Sequence, residues 1–140
     1  MTDHDQRSIP GFDPARDIQL DARNLRGIAH PLRVRLLGIL REEGPATATM
    51  LAQRLGESSA ATSYHLRQLA SYGFIDDDPE RNAGRERWWR AAHRSTYFNP
   101  AEDTSPEGAL LAGEYLRSIA RAYGRRMEAW IDALPSIPTP

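Results

Sequence analysis

Two short amphipathic segments joined by about three residues constrain this chain more than anything else in it. The first reads ATMLAQRL, with Thr47 in position to cap it and Leu51 and Leu55 one helical turn apart. Gly56 ends it. The second opens at Ser58 or Ser59 and runs to Tyr72, after which Gly73 supplies a left-handed residue that closes the helix. Two short helices on so brief a link cross at a large angle, which predicts a helix-turn-helix.

The second of these helices, 59–72, is two-faced. At about 100° per residue, Thr62, Leu66 and Leu69 share one face, with His65 at its edge. Ala60, Tyr64 and Arg67 fall on the opposite face, with Ser63 on the flank. The leucine face belongs to the core. The other face is short-chained and polar at its front, which suits insertion into the major groove of duplex DNA, about 12 Å wide. Small residues there let the backbone approach, so that Ser59, Ser63 and Tyr64 reach base edges and phosphates and Arg67 reaches a phosphate or a guanine. Ser63 and His65 superficially suggest a nucleophile and its base. Residues two apart on a helix point about 200° apart, and no Gly-x-Ser-x-Gly turn surrounds Ser63, so a hydrolytic pair is not expected.

On the N-terminal side, Asp21 can cap a short helix over ARNLRGIA, with Leu25, Ile28 and Ala29 on one side. Pro31 suits the first turn of a second helix, PLRVRLLGILREE, in which Leu32, Leu36, Leu37 and Leu40 recur at helical spacing. Gly44-Pro45 stops it. On the C-terminal side, Phe74 and Ile75 begin a strand, ERNAG is a turn, and RERWWRA is the returning strand. Two strands after a helix-turn-helix make a winged helix, with the wing over 76–92. Ser105-Pro106-Glu107 then starts a helix that can run to Leu134, roughly 40 Å long. Ala112, Tyr115, Leu116, Ile119, Tyr123, Trp130 and Leu134 form one broad apolar stripe on it. A winged helix of this size cannot cover such a stripe alone, which points to a second copy of the chain. Gly113 and Gly124 weaken this helix and permit close backbone approach. Arg126 interrupts the stripe, either snorkelling outward or meeting an acidic ligand.

Composition narrows the function classes. The 140 residues suffice for one modest domain plus an extra helix, and the fold class expected is mainly α with a small β-hairpin wing. The absence of cysteine removes disulfides, thiolate metal sites and cysteine nucleophiles. No apolar run is long enough for a membrane span and the acidic N-terminus is not a signal peptide, so a cytoplasmic location is expected. The net charge of −1 hides an asymmetry: residues 1–21 hold five acids and two arginines, and residues 81–94 hold five arginines and one acid. All 18 basic residues are Arg, a planar fork suited to phosphates and guanine edges.

LRGIAHPLRVRLLGIL, ATATMLAQRLGESSAATSYHLRQLASYGFID and GRERWWRAA, in that order, resemble the ArsR-type winged helix-turn-helix transcriptional regulators over residues 21–94. The resemblance implies a homodimeric repressor or activator of transcription, with repression the expectation. It implies that Ser59, Ala60, Ser63, Tyr64 and Arg67 face DNA and that Arg81, Arg85 and Arg87 of the wing reach the minor groove or nearby phosphates. It places the dimer interface on the first and last helices, here Leu25, Ile28, Ala112, Tyr115, Ile119, Tyr123 and Trp130. Many members sense metals. This chain departs from them: its third helix has no Cys, its last helix has no His, and His4, His30, His65 and His93 lie in unrelated segments. No metal, no cofactor and no catalytic site are therefore expected, while an unidentified small-molecule effector is left open. Asp76, Asp77 and Asp78 before the wing are unusual beside phosphates; they either face away from DNA or limit nonspecific binding.

The organisation expected is a flexible acidic tail (1–19), the winged helix-turn-helix domain (20–94), a connector (95–104), the dimerisation helix (105–134) and a tail (135–140). The alternative function is a winged helix that binds a protein or RNA, since fold does not fix function.

Overall fold

Asp21 begins the helical part of the chain. In the computed structural model, which describes residues 9–81, 84–101 and 103–136, its side chain accepts from the backbone N–H groups of Arg23 and Asn24. The Asn24 side chain accepts from the Asp21 N–H in return, completing a reciprocal cap. Helix α1 (Ala22–Ile28) follows, then α2 (Pro31–Glu43) with proline in its first turn. His30 caps α2: its Nδ1 accepts from the Leu32 N–H at 3.1 Å, a role that the sequence reading did not assign. Thr47 caps α3 (Ala48–Leu55), which ends on left-handed Gly56, and Ser58 caps α4 (Ser59–Ser71).

Leu36, Leu37 and Leu40 of α2, Leu51 of α3 and Leu66 and Leu69 of α4 are buried together with Phe74, Ile75 and Trp89. Thr62 is also buried, and its hydroxyl returns a hydrogen bond to the Ser58 carbonyl at 2.9 Å, so the polar atom costs little. The fold is mainly helical with a small antiparallel wing: β3 (Ile75–Asp77) pairs with β4 (Trp88–Ala91), Asp77 opposite Trp89. A two-residue strand, β2 (Ala46–Thr47), adds to the other edge of β4 to give the order β2-β4-β3. The return strand is shorter than RERWWRA suggests, beginning at Trp88.

A second small sheet was not anticipated. β1 (Asp17–Gln19) pairs in parallel with β5 (Ser95–Tyr97), so residues assigned to the end of a tail and the start of a connector tie together instead. Buried Asp17 anchors the pair, accepting from Arg94 Nε at 3.1 Å and from the Asp13 N–H at 2.8 Å. The rest of the expected tails, residues 1–8 with His4 and 137–140, lies outside the described residues.

Helix α5 (Pro106–Ala133) has 28 residues and continues as a 3-10 turn over Leu134–Ser136. Its first half docks on the domain: Tyr115 and Ser118 are buried and Leu111 and Ile119 pack on the core. Leu116, Tyr123, Met127, Trp130, Ile131 and Leu134 remain exposed. The expected stripe therefore divides between the protomer's own core and solvent.

Leu25 and Ile28, expected at the dimer interface, are a correction. They are 3% and 1% exposed inside the protomer's own core. Helix α1 is only seven residues long and buries its single apolar face against α4 and α5, with Gly27 under the Tyr72 ring. Arg126, for which two roles were open, reaches outward with a largely exposed side chain and pairs with Glu42 of α2.

Candidate nucleic-acid interface

Helix α4 projects the face that its sequence foretells. Ser59, Ala60 and Arg67 are exposed, Ser63 is half-buried on the flank, and Tyr64 is 49% exposed. The opposite side is pinned by Leu66, Leu69 and Thr62, so the helix cannot roll without opening the core. Exposed small residues, Ser59 and Ala60, occupy its front turn.

His65 does not approach Ser63 as a catalytic base. Its Nδ1 accepts from Arg33 Nε at 3.0 Å, and its ring lies 4.4 Å from that of His30, at the start of α2. The partner of His65 is thus a side chain of α2. Burial holds the His65 imidazole below its ordinary pKa, with His30 and Arg33 adding electrostatic opposition to a proton. His30 is held down in the same way, by burial first and then by Arg33. The neutral pair thus joins α4 to the start of α2.

Beside α4, the wing and the front of α3 close a cleft of about 300 Å³, with Thr49, Ser63, Arg67, Arg87 and Trp89 among its walls. The fold thus brings two recognition-helix residues and one wing arginine to a single surface. Thr49, exposed at the front of α3, was not singled out in the sequence; only its position after the Thr47 cap marks it.

The wing arginines are not equivalent. Arg87 makes a two-pronged bond to Asp77, at 2.6 and 3.0 Å, while its guanidinium lies 4.0 Å from the centre of the Trp89 ring. That bond holds the Asp77 carboxyl below its usual range and raises Arg87 further. Arg81 donates to Asp78 at 2.8 Å and packs over Trp88. Asp78 is buried and also accepts from the Glu80 N–H, so it organises the turn into the wing. Arg85 is exposed. The acids before the wing therefore face two of its arginines rather than lying apart from them. The register explains this: with Asp77 opposite Trp89, Arg87 sits diagonally across the hairpin.

Among the described residues, no group of three or more His, Asp or Glu side chains is placed to hold a metal ion, and no helix is long and apolar enough to cross a membrane.

Residues 28–78 match the model of a helix-turn-helix domain family. No curated protein matches the sequence significantly. Three solved structures are similar. A mutant of ZitR from Lactococcus lactis in apo form is 18% identical over 84% of this chain and 72% of that one, with a TM-score of 0.42. RV1404 from Mycobacterium tuberculosis is 22% identical over 77% of this chain and 69% of that one, with a TM-score of 0.42. NadR in complex with 4-hydroxyphenylacetate is 17% identical over 81% and 79%, with a TM-score of 0.45. The matched domain, carried on a winged scaffold, supports a DNA-binding transcriptional regulator.

Proposed function

We propose that the chain is a non-enzymatic, homodimeric transcriptional repressor that reads an inverted repeat in double-stranded DNA. Helix α4 enters the major groove, with Ser59, Ala60, Ser63, Tyr64 and Arg67 toward the bases and phosphates. The wing lies near the minor groove, where Arg85 meets phosphates and Arg81 and Arg87 are moderated by their acids. The observation that carries this reading is the exposed, small-fronted face of α4 backed by a fully buried leucine pair. Such a face keeps the helix rigid while letting its backbone approach base edges.

The bare half of α5 supports the dimer. Tyr123, Met127, Trp130 and Leu134 repeat along one side over 12 residues, about 18 Å of helix. Tyr123 at 64% and Trp130 at 56% exposure are unusual for a chain that stays alone. The interface residues retained from the sequence reading are Ala112, Ile119, Tyr123 and Trp130; Tyr115, expected among them, is buried in the protomer's own core. Of those retained, Tyr123 and Trp130 carry most of the contact. A twofold axis would set two α4 helices about 34 Å apart, one turn of DNA.

The test is binding of the purified chain to the duplex upstream of its own gene at 150 mM salt, followed by footprinting. Two protected half-sites one helical turn apart are expected, and deletion of the gene should raise expression of the adjoining operon. Binding no tighter than to unrelated duplex would remove the proposal and favour a winged helix that binds protein or RNA.

A further inference from the structure

A groove of about 650 Å³ runs between α2, β5 and α5. Its volume lies within the range of sites for small organic ligands, roughly 300–1,000 Å³. Leu37, Phe98, Tyr115, Leu116, Ile119 and Tyr123 give it apolar and aromatic walls.

Arg41 of α2 stands in that wall. Its Nε donates to the His93 carbonyl at 2.9 Å, but Nη2 is buried with no hydrogen-bond partner. A buried guanidinium nitrogen without an acceptor is costly and uncommon. The nearby acid does not relieve it: the Asp17 carboxylate is engaged by Arg94 and the Asp13 N–H. Arg126, also on the groove, is matched by Glu42. Arg41, Arg94 and Arg126 against Asp17 and Glu42 leave one positive charge, and the geometry assigns it to Arg41. Burial depresses the Arg41 pKa, and Asp17 and Tyr115 oppose that depression, which places all three groups within electrostatic reach of one another.

We propose that this groove binds a small aromatic carboxylate, its ring against Phe98 and Leu37 and its carboxylate on the Arg41 guanidinium. The carboxylate balances the unmatched charge, while the body covers apolar wall. A neutral ligand would gain only the second of these.

Calorimetric titration of the full chain with 2-naphthoate, and with neutral 2-naphthamide of the same shape, tests this without DNA. The acid should bind at least about tenfold tighter than the amide, because a charge-assisted pair in a partly desolvated site is lost with the amide. Arg41→Met should bring the two to equal affinity, and Arg41→Lys should keep part of the preference. Leu116→Trp, at an exposed position on the groove wall, should weaken both ligands without unfolding the chain. Equal affinities in the wild type, no binding of either ligand at millimolar concentration, or a preference that survives Arg41→Met would overturn the proposal. So would a Leu116→Trp chain that binds unchanged, or one that binds nothing and changes oligomeric state, which would make the groove a subunit face. Because the readout is binding of a small acid, its failure is separable from failure to bind DNA.

Discussion

Asp77→Asn should tighten DNA binding, although it removes an ion pair. Asp77 and Arg87 are each about half exposed and joined by two hydrogen bonds. An exposed pair of this kind contributes roughly 0.2–1 kcal/mol to folding, so the variant stays folded. A phosphate seated on Arg87 would lie about 6 Å from the Asp77 carboxylate, the sum of two hydrogen-bonded contacts. In water that separation costs about 0.7 kcal/mol of repulsion per phosphate. Removing the charge should therefore tighten binding about threefold at low salt. The Trp89 ring still holds the guanidinium, so Arg87 is released without being lost. A fully freed arginine should also steepen the slope of log affinity against log salt by about 0.9. Fluorescence anisotropy with one duplex from 50 to 250 mM salt measures both. If Asp77→Asn weakens binding and leaves the slope alone, Asp77 orients Arg87 toward DNA and the masking argument is wrong.

Gly27→Ala should destabilise the fold despite alanine's better helix propensity, worth about 1 kcal/mol. The added Cβ would stand 2.3 Å from Tyr72 Cγ and 2.7 Å from its Cβ, atoms near the backbone that cannot swing away, so a net loss of about 1–2 kcal/mol in urea denaturation is expected. Acid should lower stability as the pH falls below about 6.5, because His30, His65 and His93 have folded pKa values below their ordinary one, each chiefly through burial. A depressed histidine contributes fully above its unfolded pKa, and its contribution falls as protons bind the unfolded chain first. The depressed acids Asp17, Asp77, Asp78 and Asp103 act only lower, at and below their ordinary 3.8. Urea midpoints at pH 7.5 and 5.5 check this, and His65→Gln should flatten the difference. Tyr123→Glu with Trp130→Glu should convert a dimer to folded monomer in sedimentation velocity, leaving helical circular dichroism intact.

The helices were legible because what starts and stops them is local. Asp21, Thr47, Ser58 and Ser105 each cap within a few residues of themselves, and Gly56 and Gly73 end their helices through their own positive φ. The α4 face followed from angle alone. The β1–β5 pair was not legible: two three-residue strands meet across a long stretch of chain and neither is long enough to show alternation. Nor was the masking of Arg87, because it depends on hairpin register, which turn composition left undetermined. Leu25 and Ile28 mark the same limit from the other side. Their spacing shows an apolar face, but a seven-residue helix does not say whose core covers it.

Selection of bound sequences from random duplex DNA tests the central claim most directly, with wild type, Ser63→Ala, Tyr64→Ala and Arg85→Ala in parallel. The account predicts that the wild type enriches an inverted repeat with half-sites one helical turn apart. Ser63→Ala and Tyr64→Ala should change the preferred bases within each half-site, and Arg85→Ala should lower recovery of all sequences about alike. Enrichment of no motif, or the same motif from wild type and both α4 variants, would contradict it.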